Sequence, residues 1–330
     1  MSQTPPIQGF LLGVDTGSSK THALITDLSG GMVGFGEAGC GNYEVVGEAG
    51  LQTALYESVN KAISSAQIQS TDIVSMGFGF SGYDWPSEKP IMIQAIESLG
   101  ISCPFQFVND VTIGLIAGAS QGWGVAVDAG TGNNVRGRDK FGNIGRITGN
   151  SINFGEFGGA GEMVFQAILA ATYAWTQRGP KTKITQMLMT FVEVDHEEAL
   201  IEGLAMEKIH LPPILAKNIL QLAADGDKVA QEVVNFSAVE LAKNVNAVIR
   251  QLNLQNITFE VILIGSIFKA GEIYLKPFRE TIHKFAANAS LIQLSVPPVT
   301  GAVLLAAETV GLPTNLIRDK LIQTTKKVPH

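Results

Sequence analysis

One short pattern limits what this chain can fold into more than any other feature. Val14-Asp15-Thr16-Gly17-Ser18 returns 113 residues later as Val127-Asp128-Ala129-Gly130-Thr131, in a chain of 330 residues. Each copy closes an apolar run (10–15 and 123–128) and passes directly into a glycine turn. Glycine in such a turn leaves the backbone N–H groups unobstructed, and the hydroxyl residue adds a donor. One copy alone is an ordinary hairpin. Two copies, each ending the first strand of a similar unit, indicate two related half-domains. At roughly 100–200 residues per domain the length suits two. We place them at 1–120 and 121–330, with a hinge in Ala-Gly-Ala-Ser-Gln-Gly at 117–122.

The glycines agree with this division of labour. Of 36, 29 fall within the first 161 residues, so tight turns dominate the first half and helices the second. Period-2 runs and turn signals predict strands at 10–15, 20–27 and 32–38, then a helix at 48–66. A strand at 72–80, a helix at 86–99 opened by proline, a strand at 104–110 and a small-residue helix at 111–120 follow. The order restarts with strands at 123–128 and 135–139 and a glycine-rich loop to 161. Beyond it the chain reads as helical. The longest helix, 227–252, carries Val234, Ala238, Leu241, Val245, Val248 and Leu252 at steps of three and four, the pattern of a buried face. Late strands at 259–264 and 291–296 and helices at 301–310 and 315–326 close the chain. The result is an α/β protein with mixed sheets covered by helices.

Composition removes several classes of function. The net charge of −7 comes without any cluster of lysine and arginine, so no nucleic-acid partner is expected. Cys40 and Cys103 make no CxxC pair, and His22, His196, His210, His283 and His330 show no metal-ligand spacing. No apolar run approaches the ~20 residues that span a bilayer, and 1–10 has no leader-like pattern. The expectation is a cytoplasmic protein without a membrane partner. Only 16 % of residues are charged and mean hydropathy is +0.21, which points to apolar surface buried in a homodimer.

Two facing Asp–Gly–Ser/Thr turns can grip a polyphosphate from both sides, with the strand-end aspartates holding Mg2+ through water. The strand at 104–110 ends in Asn109-Asp110, and a carboxylate at a strand end opening on a crevice is placed to act as a general base. The same aspartate could instead cap the helix that follows.

Gly13-Val14-Asp15-Thr16-Gly17-Ser18-Ser19-Lys20-Thr21 resembles the phosphate-1 segment of the acetate and sugar kinase/Hsp70/actin superfamily. More narrowly it resembles the BadF/BadG/BcrA/BcrD ATPase family, which includes the N-acetylglucosamine kinases. Further segments follow in family order: 39–47, Val108-Asn109-Asp110, Gly130-Thr131-Gly132, 155–159, 223–230, 264–268, and Pro298 with Gly301-Ala302. The resemblance implies two ribonuclease H-like (actin-like ATPase) lobes, each a mixed sheet with flanking helices, and a nucleotide cleft between them. It implies an ATP-dependent kinase that uses Mg2+ and phosphorylates a hydroxyl of a sugar or amino sugar. Carried over by position, Asp15, Gly17, Ser18, Lys20, Gly130, Thr131 and Gly132 would hold the ATP phosphates, and Asp15 and Asp128 the metal. Ala223 and Gly265 would lie near the adenosine. Asp110 would take the proton, and Asn42, Asn109, Asp110 and Glu156 would bind the acceptor. The chain departs from the kinases at Asp128, Asn133, Phe157, Gly159 and Ser266, which leaves an ATPase or a sugar/ATP-sensing protein of the same fold as alternatives. An iron–sulfur ATPase activator is disfavoured, because both cysteines precede the second lobe.

Overall fold

The computed structural model describes residues 8–329; residues 1–7, most of the stretch read for a leader pattern, and His330 lie outside them. The first sheet contains β1 (Phe10–Thr16), β2 (Thr21–Asp27), β3 (Met32–Ala38), β4 (Ile73–Phe80) and β5 (Phe105–Asn109), in the order β3-β2-β1-β4-β5. The first three are antiparallel neighbours, and β4 and β5 add in parallel. The second sheet contains β6 (Gly124–Ala129), β7 (Asn133–Arg138), β8 (Ile144–Arg146), β9 (Phe259–Ile264) and β10 (Ala289–Gln293), in the order β10-β9-β6-β7-β8. Its pairings repeat those of the first sheet strand for strand. The recurring pentapeptide therefore ends the central strand of each sheet, β1 and β6.

Alternating side chains give each sheet two covered faces. On the first, Leu12, Val14 and Phe78 pack against Leu51 and Leu55 of α1 (Tyr43–Ala66, broken at Gly47) and Met92 of α2 (Lys89–Glu97). Leu11 and Leu24, on the opposite face, meet Val303, Leu304 and Ala306 of a late helix, 299–309. α3 (Asp110–Gly118) lies between the lobes. Its Ile113 and Ile116 join that packing, while Val111 and Leu115 meet Ala126 and Ile262 of the second sheet.

The second lobe adds α4 (Ala160–Trp175), α5 (Lys183–Val192), α6 (Glu197–Ala205), α7 (Ala216–Ala224), α8 (Lys228–Gln251) and α9 (Glu272–His283). The apolar row expected on 227–252 is the buried face of α8: Val234, Ala238, Leu241, Val245 and Val248 are fully covered. The chain ends with α10 (Val299–Thr309) and α11 (Thr314–Thr324).

Three expectations need correction. Residues 299–328, expected with the second lobe, pack on the first, because α10 is apolar on every side and fits between β1, β4 and α3. The stretch read as loop contains β8, a strand of only three residues with Gly145 at its centre. The helix expected at 86–99 is a short 3-10 turn, Pro86–Glu88, followed by α2. The hinge segment starts at the end of α3, where Arg318 of α11 donates to the carbonyls of Ile116 (2.8 Å) and Ala117 (2.9 Å). No helix among the described residues is long and apolar enough to cross a membrane.

Candidate functional site

The turn after β1 is closed by the Gly17 N–H donating to the Lys20 carbonyl (2.8 Å). The turn after β6 is fixed by its carbonyls: Gly130 O accepts from Ala160 N (2.9 Å) and Thr131 O from Gly161 N (2.8 Å). Both donors belong to the start of α4, so this helix anchors the second turn. Between the two turns, Asp15, Asp110 and Asp128 face one cavity of about 170 Å³, together with Gly17, Val111, Ile264 and Pro298.

Three carboxyls in one partly desolvated space hold their protons more firmly than usual. Burial, followed by the charges of Asp110 and Asp128, pushes Asp15 up to about 8. Burial and then Asp110 push Asp128 up to about 7. Asp110 is pushed to about 6, chiefly by burial, against the opposing bonds from the Val111 N–H and the Ser81 side chain. Among the described residues no three acidic, histidine or cysteine side chains form a ready-made metal cage. An Mg2+ held by one or two carboxylates, waters and phosphates needs no such cage, and clustered carboxyls whose charges oppose one another suit a cation that relieves the repulsion.

These shifts give a stability prediction whose sign is fixed. The folded state keeps protons on these aspartates that the unfolded chain, titrating near 3.8, has already lost. Folding therefore takes up protons between about pH 4 and 8, and the contribution to stability falls as pH rises through that window. The melting temperature of the nucleotide-free protein is expected to fall across about pH 5–8, less steeply in Asp15→Asn. Equal slopes for the two proteins would show that Asp15 holds its proton no more firmly in the folded chain than in the unfolded one.

The structure distributes the other expected site residues unevenly. Asn109 caps α3 by accepting from Val111 N (3.0 Å), so Asp110 is the first helical residue and not the cap. Asn42 caps α1, and its amide donates to Ser18 Oγ (3.2 Å) and Ser81 Oγ (3.3 Å), linking the first turn to the partner of Asp110. Lys20 instead pairs with Glu37 at 3.0 Å on the surface. Glu156 is a loop staple: its carboxylate accepts from Thr148 N (2.7 Å), Thr148 Oγ1 (2.9 Å), Gly149 N (2.8 Å) and Asn150 N (3.0 Å). Gly132 lies by the buried Glu162.

Gly130 and Thr131 also face a second, largely apolar cavity of about 380 Å³, walled by Pro212, Ile214, Leu220 and Ile267. Ala223 does not reach it; one turn beyond Leu220 on α7, it is fully buried in the core. The pair Pro212-Pro213 ahead of α7 was the overlooked signal for this wall. Gly265 has φ +102°, and a Cβ there would lie 2.2 Å from the Ala129 carbonyl oxygen. Only glycine lets 264–266 cross the end of β6 so closely. The turn after β6 thus separates an apolar cavity from an acidic one.

The sequence pattern of the BadF/BadG/BcrA/BcrD ATPase family matches residues 12–306. The chain belongs to this family. Among curated relatives, the N-acetylmuramic acid/N-acetylglucosamine kinase of Clostridium acetobutylicum is 25 % identical over 90 % of this chain and 98 % of its own. The N-acetyl-D-glucosamine kinase of Dictyostelium discoideum is 27 % identical over 90 % and 97 %. A structure of a proposed N-acetylglucosamine kinase from Chromobacterium violaceum superposes with TM-score 0.65 at 20 % identity, covering 91 % of this chain and all of that one. The two mixed five-stranded sheets of this family member are those of the actin-like ATPase fold.

Proposed function

We propose that the protein transfers the γ-phosphoryl group of ATP to a hydroxyl of a sugar or amino sugar. The observation that carries this reading is the placement of Asp110 at the start of α3, in one cavity with Asp15 and Asp128. The turn that follows Asp128, Gly130–Thr131, lines the apolar cavity. The apolar cavity suits an adenosine, and the turns after β1 and β6 suit its phosphates. A bound Mg2+ would lie near Asp15 and Asp128 and neutralise phosphate charge. Asp110 takes the proton of the acceptor hydroxyl as its oxygen bonds to phosphorus and the bond to the ADP oxygen breaks. A carboxyl pushed to about 6 is ionised at neutral pH yet basic enough for this task.

Two of the departures from the kinase pattern, Phe157 and Gly159, have structural uses outside the acidic cavity. Phe157 packs edge-on against Phe236 at 5.3 Å between ring centres, and Gly159 caps α4 against the backbone of Gly132. This favours transfer over mere sensing. The homodimer rests on low charge and on exposed side chains such as Phe141 and Phe154, and the cytoplasmic location on the scattered cysteines.

The test is an ADP-release screen over amino sugars, hexoses and other polyols, with Asp110→Asn as the blank. ADP release that depends on one sugar class supports the proposal. Sugar binding by calorimetry without turnover would instead favour a sensor.

A further inference from the structure

Next to Asp110 lies a carboxylate that sequence reasoning did not single out. Asp84, in the loop after β4, is 17 % exposed and close enough to Asp110 for their charges to interact. It is held from both lobes. Arg136 of β7, 4 % exposed, reaches across to its Oδ1, and Asn109 donates to the same oxygen at 3.4 Å. Arg146 of β8 donates to the Asp84 carbonyl and lies over the Trp85 ring, 4.4 Å from its centre. Arg136 and Asn109 meet Oδ1, and the Asn134 side chain is a further donor to the carboxylate; Oδ2, on the Gly149 side, keeps a lone pair able to accept.

A buried ion pair stabilises a fold little, because desolvation offsets the attraction. Three side chains aimed at one largely buried carboxylate therefore call for another reason. A second observation supplies one: Arg136 Nε and Asn134 Oδ1, on the same face of β7, are buried without hydrogen-bond partners. The first is a donor and the second an acceptor, which together complement a hydroxyl.

We propose that Asp84 is a specificity-determining residue of the acceptor site, whose carboxylate holds a second hydroxyl of the polyol beside the one that reacts at Asp110. Arg136, Asn109 and Asn134 are positioning residues that fix Asp84. The proposal rests on the sugar-kinase reading and adds the recognition of a neighbouring hydroxyl to it. A hydroxyl donating to a carboxylate is a charge-assisted bond, and an acceptor lacking it leaves the carboxylate unpaired.

The experiment pairs Asp84→Asn with a set of singly deoxygenated acceptors. Asparagine still accepts from Arg136, so the clamp keeps its geometry. The acceptor KM is expected to rise about 10–100-fold, the span of a hydrogen bond to a charged group. The ATP KM should stay within about threefold, since Asp84 lies away from the apolar cavity. One deoxy acceptor should be poor for the unaltered protein yet lose little more in Asp84→Asn. Arg136→Lys should retain part of the acceptor affinity that Arg136→Met loses. Equal rises in both KM values, or losses that add for every deoxy acceptor, overturn the assignment. If the unaltered protein binds sugars without transfer, the kinase reading fails. Acceptor affinities measured by calorimetry then replace KM, and affinities indifferent to Asp84→Asn overturn this proposal separately. If no sugar binds at all, both fall.

Discussion

Asp110→Asn should lower phosphoryl transfer by about 10²–10⁴-fold while leaving nucleotide affinity unchanged or slightly improved. Asparagine fits the same space, and its Oδ1 can still accept from Val111 N as Asp110 Oδ1 does at 2.9 Å. The start of α3 should therefore stay in place. What disappears is the carboxylate placed to carry away the hydroxyl proton, along with a charge that acts on both neighbouring aspartates. Because the charge of Asp110 raises both Asp15 and Asp128, its loss relieves both. The nucleotide-free variant should melt no lower than the unaltered protein near pH 8. The check is a single-turnover measurement with a saturating acceptor, beside calorimetry of a non-hydrolysable ATP analogue. Transfer retained within a few fold would remove Asp110 from the role of base.

The repeated pentapeptide and the strand periodicity were enough to reach two lobes of matching topology, because turn chemistry and alternation are local properties. Asp15, Asp110 and Asp128 were legible for the same reason, each ending a strand that reads plainly as one. Asp84, Asn134 and Arg136 were not. Each is unremarkable in its own stretch, and their meaning comes from a contact between lobes 52 residues apart in sequence for Asp84 and Arg136. Likewise the apolar cavity is built by Pro212 and the start of α7, whose local pattern says only that a helix begins. Ala223 was selected by likeness, yet helical phase turns it into the core. Lys20 looked like a phosphate ligand, but strand pairing sets His22 opposite Glu37 and brings that carboxylate within reach of its amine.

Gly301→Val should be the most damaging single substitution away from the cleft. A Cβ at Gly301 would sit 1.9 Å from the carbonyl oxygen of Ile113 and 2.9 Å from the N of Ala117. Those atoms are backbone of α3, so no side chain can swing aside and one helix must move off the other. Overpacking of a core costs about 1–3 kcal/mol where side chains can adjust, and a rigid helix-to-helix contact puts this case at about 3 kcal/mol or above. The melting temperature should fall by roughly 6–12 °C or more, at 2–4 °C per kcal/mol for a domain of this order of size. The loss should extend to function, because α3 begins with Asp110 and carries it. A displacement of about 1 Å at a reacting group can reduce the rate about 10²-fold, so the surviving folded fraction should transfer phosphate poorly while still binding nucleotide in the second lobe. Calorimetric melting, with kcat measured well below the transition, separates the two effects. A variant that melts with the unaltered protein would mean that α3 and α10 do not touch at Gly301. Lower stability with full kcat would mean that Asp110 is positioned by the second sheet and Asn109 and not by α10.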